Sequence, residues 1–462
     1  MNTTTTSSTP ASDRLVVHAG HLLTMDPTIP DGPGTIVVHD GTIVAVGANV
    51  APELCEGAEI IDAAGDIVMP GLVDTHRHTW QAAIRHIGMN WSLDDYFGNV
   101  LFQLAPQYRP IDAWSGNLLG ALGALESGVT TLVDWSHIQS SPEHSDACID
   151  ALRLSGIRAV FAYGWPQDQP ARWVGESNAA LPDDIRRVRD VLSDDRDLVT
   201  MAMAARGPEL ATFEATAIDI ALARELDLAV TMHVGAGAYG PKYRAVEHLA
   251  AAGLLDERTT LVHACTCSDH ELHLAAAAGA TASVSPMIEM TMDGLGASPT
   301  GRLLDAGVRT GVSSDSEVAV SGDLFTQLRA AHAQHQMLRR FDHDLAGRAQ
   351  ITPMGLLRMA TIDGARVAGV AERTGSLTPG KRADLITITA NTPALAPVND
   401  PAQAIVTAAH PGLVRTVIVD GAIVKRDGRM TIDVDTAITA AGATLDHLRC
   451  VAPGVVGTRP HK

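Results

Sequence analysis

The chain has 462 residues, 46% of them hydrophobic and 19% charged, ordinary globular proportions that exclude a fibrous or mainly disordered protein. Its 53 Asp and Glu outnumber 34 Lys and Arg, and the formal charge of -19 repels phosphate backbones and anionic lipid, which excludes nucleic acid and membrane as expected partners. The length suits two or three domains, or one barrel with a small companion domain.

The opening residues, MNTTTTSSTPAS, carry no basic start, apolar core or Arg-rich amphipathic pattern, so residues 1–13 read as a disordered tail and the expected compartment is the cytoplasm. The five cysteines, at positions 55, 148, 265, 267 and 450, lack the spacing of a disulfide framework, in keeping with a reducing compartment. Gly34 to Gly47, GTIVVHDGTIVAVG, joins two β-branched runs through Asp40-Gly41, a pair that accepts the positive φ of a tight hairpin turn. Val414 to Lys425, VRTVIVDGAIVK, repeats the arrangement with Asp420-Gly421. The two ends are therefore expected to meet in one small composite β-sandwich domain, residues 14–69 plus 374–435, followed by a C-terminal helix and tail over 436–462.

Between them, over residues 70–373, apolar strand-like runs end near His76, Asp134, Tyr163, Ala204, His233, His263, Ser285 and Asp315. All but the first follow an amphipathic stretch such as Ala215 to Glu225. Eight strands alternating with helices predict an α/β protein with a closed, TIM-like (β/α)8 barrel, whose chemistry belongs at the C-terminal strand ends. The longest charge-free runs are broken by turn residues and do not read as membrane spans.

In VDTHRHTWQ, His76 and His78 stand two residues apart on the first barrel strand, so they project to one side while Arg77 turns away. Further strand ends add His233 in LAVTMHVG, His263 in TTLVHACT and Asp315 in GVSSDSE. Neutral imidazoles with a carboxylate are the donor set expected for Zn²⁺, with Fe²⁺ or Mn²⁺ as less favoured occupants.

PGLVDTHRH, GVTTLVDWSH, VTMHVG, LVHAC, GRLLDAGVRTGVSSDS, MATIDGARVAGV and GSLTPGKRADLITI, in this order, resemble the amidohydrolase superfamily. Within it they are most similar to the branch of nucleobase and cyclic-amidine deaminases and triazine hydrolases, from about Arg14 to Gly428. The resemblance implies a barrel with a composite β-sandwich and one divalent metal ion per chain, held by His76, His78, His233 and Asp315. It implies that Asp315 also takes a proton from the metal-bound water, that His263 stands behind the ligands or beside the substrate, and that the protein is a homodimer or homotetramer. Binuclear members bridge two ions with a mid-barrel Lys, but the first Lys here is Lys242, so a mononuclear site is expected.

A single divalent ion lowers the pKa of its bound water to about 7. The resulting hydroxide would attack a C=N or C=O carbon, with Asp315 as base and His263 polarising the substrate. The expected function is hydrolytic deamination of a cyclic amidine or of a flat, aminated nitrogen heterocycle. Amide or lactam opening, halide displacement, and a non-hydrolytic isomerase, lyase or metal-binding role are the alternatives. One position departs from the pattern: where relatives place a Glu three residues after the fifth-strand His, this chain has Ala236. Glu289, in SVSPMIEMTM, is the candidate replacement for that proton shuttle.

Trp80, Gln81, Trp135 and Arg206 are candidate substrate contacts. Gln81 suits a heterocycle edge, Trp135 with Tyr163 and Trp165 suits aromatic walls, and Arg206 is open to either a substrate oxygen or Glu209. Met89 to Phe97, MNWSLDDYF, reads as a lid. Cys265 and Cys267 read as buried small side chains, and His270, His273, His332 and His335 as solvent-facing.

Overall fold

In the computed structural model, residues 14–341 and 350–457 are described, and the expected tail, 1–13, lies outside them with the last residues, 458–462. Four strands come first: β1 (Arg14–Leu22), β2 (Gly32–His39), β3 (Thr42–Gly47) and β4 (Glu59–Pro70). Between β2 and β3, Asp40 and Gly41 take φ of 48° and 70°, the left-handed pair that a two-residue hairpin turn requires.

Eight parallel strands follow in sequence order: β5 (Leu72–Arg77), β6 (Val129–Ser136), β7 (Arg158–Tyr163), β8 (Val199–Ala205), β9 (Val230–Val234), β10 (Thr259–His263), β11 (Thr281–Val284) and β12 (Arg309–Val312). Every residue of β6 and β8 is buried, because parallel strands covered by helices outside and side chains inside have no wet face. The seam between β12 and β5 closes just beyond β12, where Asp315 bridges Arg77 in parallel fashion. Side-chain caps start the outer helices: the Thr212 hydroxyl accepts the Ala215 N–H ahead of Phe213–Glu225, and Ser268 with Glu271 forms a capping box ahead of Asp269–Ala277.

The chain then returns to its beginning. Strands β13 (Leu385–Thr389), β14 (Val414–Val419), β15 (Ala422–Arg426) and β16 (Arg429–Met430) extend the N-terminal strands into one eight-stranded sheet, with β13 antiparallel to β4 and Leu385 opposite Pro70. The composite domain is thus a single continuous sheet around its own small core of Val17, Ile36, Ile43, Val68, Leu385 and Ile418. Its two hairpin turns abut: a Cβ on Gly421 would meet Gly41 Cα at 2.3 Å, so only glycine fits. Arg158 on β7 pairs with Asp384 at 2.6 Å and Asp420 at 2.7 Å, fastening the sheet to the barrel floor. Helix Val434–Val451 covers helix Pro110–Glu126, with Thr444 bonded to Asp112 at 2.8 Å. Among the described residues no helix is long and apolar enough to cross a membrane.

Candidate metal centre and cavity

Three imidazoles converge at the mouth of the barrel. The ligand nitrogens of His76, His78 and His233 all lie within 4.8 Å of one another. Asp315 Oδ1 stands 3.4 Å from Nε2 of both His76 and His78, and donors about 2.1 Å from a shared tetrahedral ion are themselves about 3.4 Å apart. Arg77 turns away between the two histidines and bonds Asp74 and Glu317, each at 2.9 Å, which ties β5 to the segment that follows Asp315.

The chemistry of the donors fits a divalent cation. Both ring nitrogens of His76 are buried without a hydrogen-bond partner, a costly state unless a cation takes up a lone pair. Burial, followed by the neighbouring imidazoles, holds His78 and His233 well below the usual imidazole range, so both are neutral and able to act as ligands. Burial pushes the Asp315 carboxyl up, but His76, His263 and His78 around it outweigh that and keep it below the ordinary carboxylate range. His78 Nδ1 bonds the Trp135 carbonyl at 3.1 Å, which frees Nε2 for the centre. Asp315 and His263 hold φ of 62° and 69°, left-handed conformations that are uncommon for non-glycine residues outside turns.

His263, at the end of β10, places Nε2 3.7 Å from Asp315 Oδ2 and Nδ1 3.1 Å from Glu289. Burial would lower its pKa, but the Glu289 hydrogen bond and the Asp315 charge win and raise it. Glu289 Oε1 also accepts the Ser285 N–H at 2.8 Å. Glu289, expected as the replacement shuttle, sits behind His263 and outside the residues that line the cavity.

Above the donors opens a cavity whose empty space, with the open solvent at its mouth, is about 710 Å³. His78, His137, His233, His263 and Asp315 line it together with Trp135, Trp165, Tyr96, Phe97 and a set of aliphatic side chains. The expected lid segment supplies Leu93, Tyr96 and Phe97 to the wall, and the Leu93 N–H is fastened to the Asp293 carbonyl at 2.7 Å.

Of the expected substrate contacts, Trp135 lines this cavity and the other three do not. Trp80 lies in the turn Thr79–Ile84, pressed under helix Pro110–Glu126, where its ring meets Tyr108 at 4.9 Å and His137 at 5.5 Å. Gln81 stands one layer back, donating to the Tyr96 hydroxyl at 2.6 Å and accepting from Ser316, both of which face the cavity. Arg206 is fully buried against Asp219 at 2.9 Å and Ser177 at 2.9 Å, so it meets neither substrate nor Glu209. Cys265 and Cys267 are buried thiols whose pKa burial raises. His270 and His273 are exposed as expected, but His335 is buried.

One imidazole and one carboxylate of the cavity, those of His137 and Glu209, have no role in the sequence pattern. His137, its ring 4.5 Å from that of His78, ends the quoted run GVTTLVDWSH, and its place just beyond β6 was the available signal. Glu209 follows β8 through Gly207-Pro208, and both of its carboxylate oxygens accept peptide N–H groups, from Gly235 and from Ala236.

Imidazoles and a carboxylate gathered at the C-terminal mouth of a (β/α)8 barrel, with a sheet built from both chain ends, define a class of barrel protein suited to a divalent metal. The sequence pattern of the Amidohydrolase family matches residues 67–424, and the chain belongs to that family. A 5-methylthioadenosine/S-adenosylhomocysteine deaminase of Nitratidesulfovibrio vulgaris is 30% identical over 416 residues, spanning 86% of this chain and 89% of the relative. An adenosine deaminase from Xanthomonas campestris with bound zinc shares the fold at a TM-score of 0.80 and 21% identity, covering 96% of this chain and 100% of that one. The atrazine chlorohydrolase from Arthrobacter aurescens TC1, complexed with zinc, shares it at a TM-score of 0.80 and 22% identity, over 93% of this chain and 99% of the other.

Proposed function

We propose that the protein is a metal-dependent deaminase that hydrolyses an amino-substituted, adenine-like nitrogen heterocycle and releases ammonia. The observation that carries this reading is the convergence of His76, His78, His233 and Asp315 on the floor of an aromatic and aliphatic cavity. A divalent ion held there, Zn²⁺ by preference, supplies a water acidic enough to serve as nucleophile near neutral pH. The deaminase activity named for the Nitratidesulfovibrio relative and the zinc named in two proteins of the same fold support the reading.

This chain's own groups complete the chemistry. The Asp315 carboxylate takes the proton from the attacking water. His263 faces Asp315 and polarises the ring carbon's neighbouring nitrogen, while Glu289 fixes the orientation of its ring. Trp135, Trp165 and Phe97 form the slot for a flat ring, and among the described residues no Lys or Arg lines the cavity, so the substituent on that ring is neutral. The free state of all five cysteines supports a cytoplasmic setting, and the resemblance to the amidohydrolase superfamily supports homodimeric or homotetrameric assembly.

Ammonia release by metal-loaded protein across adenine nucleosides, aminopurines, aminopyrimidines, pterins and aminotriazines tests the proposal. Turnover of at least one neutral member is the expected result. Release of a carboxylate or halide from a wider panel, with no ammonia from any amine, would replace deamination with another hydrolysis.

A further inference from the structure

The proton that must reach the departing nitrogen has no donor at position 236, which is alanine. Among the described residues the carboxylates lining the cavity are Asp315 and Glu209. Asp315 belongs to the donor set. The other nearby acids are committed elsewhere: Glu289 behind His263, Glu317 to Arg77 and Arg85, and Glu271 to its helix cap.

Glu209 is held at the missing side chain's own address. The loop after His233 runs Gly235-Ala236-Gly237, with φ of 67° at Gly235 and 50° at Gly237. That conformation turns the N–H groups of Gly235 and Ala236 onto the two Glu209 oxygens, with Ala236 N 3.3 Å from Oε2. The close approach of the loop to its neighbours keeps it there: a Cβ on Gly237 would meet the Gly294 carbonyl oxygen at 2.0 Å. The methyl group of Ala236 leaves the cavity space beside this carboxylate free. Each oxygen retains a lone pair, or a proton, for the ligand.

From this geometry we infer that Glu209, reaching in from the end of β8, is the catalytic acid-base group that relatives supply from position 236. The inference rests on the deaminase reading above. Water adds to the ring carbon that bears the amino group. The π pair of the ring C=N bond moves to the ring nitrogen, which takes the first water proton by way of Asp315, and the second proton passes to the Glu209 carboxylate and from there to the amino nitrogen. The carbon–nitrogen bond then breaks with its electron pair on nitrogen, so that amine plus water becomes carbonyl plus ammonia. Burial raises the Glu209 carboxyl to about 7 against the two peptide N–H groups that lower it, so both protonation states are accessible near neutrality. His263, Glu271 and Cys267 are the titratable groups that bear on it.

Two measurements test the assignment. Infrared titration of the metal-free protein should show a buried carboxyl changing protonation near neutral pH, and Glu209→Gln should abolish that band; a wild-type protein without it overturns the inference. With whichever heterocycle yields ammonia, Glu209→Gln should lower kcat by about 10² to 10⁴-fold with KM and metal content little changed. The double variant Glu209→Ala/Ala236→Glu should recover at least about tenfold over Glu209→Ala, since the acid returns to the same space. A Glu209→Gln enzyme within threefold of wild type, or a loss that Ala236→Glu does not relieve, overturns the assignment while wild-type turnover leaves the deaminase reading intact. A wild-type protein inactive on every amine sinks both.

Discussion

The peptide N–H of Asp315 donates to the His76 carbonyl at 3.0 Å, and the Asp315 carbonyl accepts the His78 N–H at 2.9 Å. One residue thus closes the barrel through its main chain and turns its carboxylate toward the candidate metal centre through its side chain. The donors from the first and last barrel strands are held in register by peptide hydrogen bonds, whether or not an ion is present.

That arrangement separates metal retention from catalysis. His76→Ala and Asp315→Ala should each abolish turnover, with metal content falling below one ion per chain by elemental analysis. Asp315→Asn, which keeps the main-chain bonds and an oxygen donor, should retain metal and still lose at least about 10²-fold in rate. Wild-type rates with stoichiometric metal in Asp315→Ala would remove this residue from the site.

Glu289 predicts a different pattern. Its single contact with the chemistry is through His263 Nδ1, so Glu289→Gln should reduce kcat by about 10- to 100-fold, the worth of one charge-assisted hydrogen bond, and leave KM nearly unchanged. A rise in KM with kcat intact would place Glu289 against the substrate instead.

Arg206 should behave as a structural residue. Asp219→Ala strands a buried guanidinium and should cost about 3 to 5 kcal/mol of stability in urea unfolding, without altering KM for a substrate of the folded enzyme. A selective KM effect with unchanged unfolding would show that the guanidinium reaches the ligand.

Glu209 should leave a mark on stability against pH. Its pKa is about 7 in the fold and about 4.3 unfolded, so the folded state binds the proton more tightly and the contribution is present below about pH 4.3 and lost as pH rises through about 7. The shift corresponds to about 4 kcal/mol. Urea titrations of the metal-free protein should show this loss across that window, and Glu209→Gln should flatten it; parallel pH profiles for the two proteins would refute the assignment of the raised carboxyl.

Much of the architecture was readable because its causes are local. A β-branched run ending in Asp-Gly dictates a hairpin with little help from elsewhere, and both such pairs, Asp40-Gly41 and Asp420-Gly421, adopt the left-handed turn. Histidines at strand ends face one mouth by the geometry of the barrel itself, which is why His76, His78 and His233 converge as their positions suggest. What escaped depends on partners chosen in three dimensions. Arg206 has an acid three residues on, yet it pairs with Asp219 on the following helix, because the Gly207 turn sends Glu209 toward the loop after His233. Trp80 follows the ligands closely in sequence, but the packing of helix Pro110–Glu126, with Gly116 against its carbonyl, takes its ring out of the cavity.

The sheet built from both ends sets an order on biosynthesis. Strand β4 hydrogen-bonds β1 along one edge and β13 along the other, with Pro70 opposite Leu385. A nascent chain emerging from the ribosome therefore carries β4 with one bare edge while the whole barrel is made, and a bare strand edge is a template for pairing with other chains. Emergence of β13 covers that edge, and Asp384 and Asp420 then seat on Arg158 of the barrel floor, so the sheet is sealed to the barrel only after the strands that follow it are made.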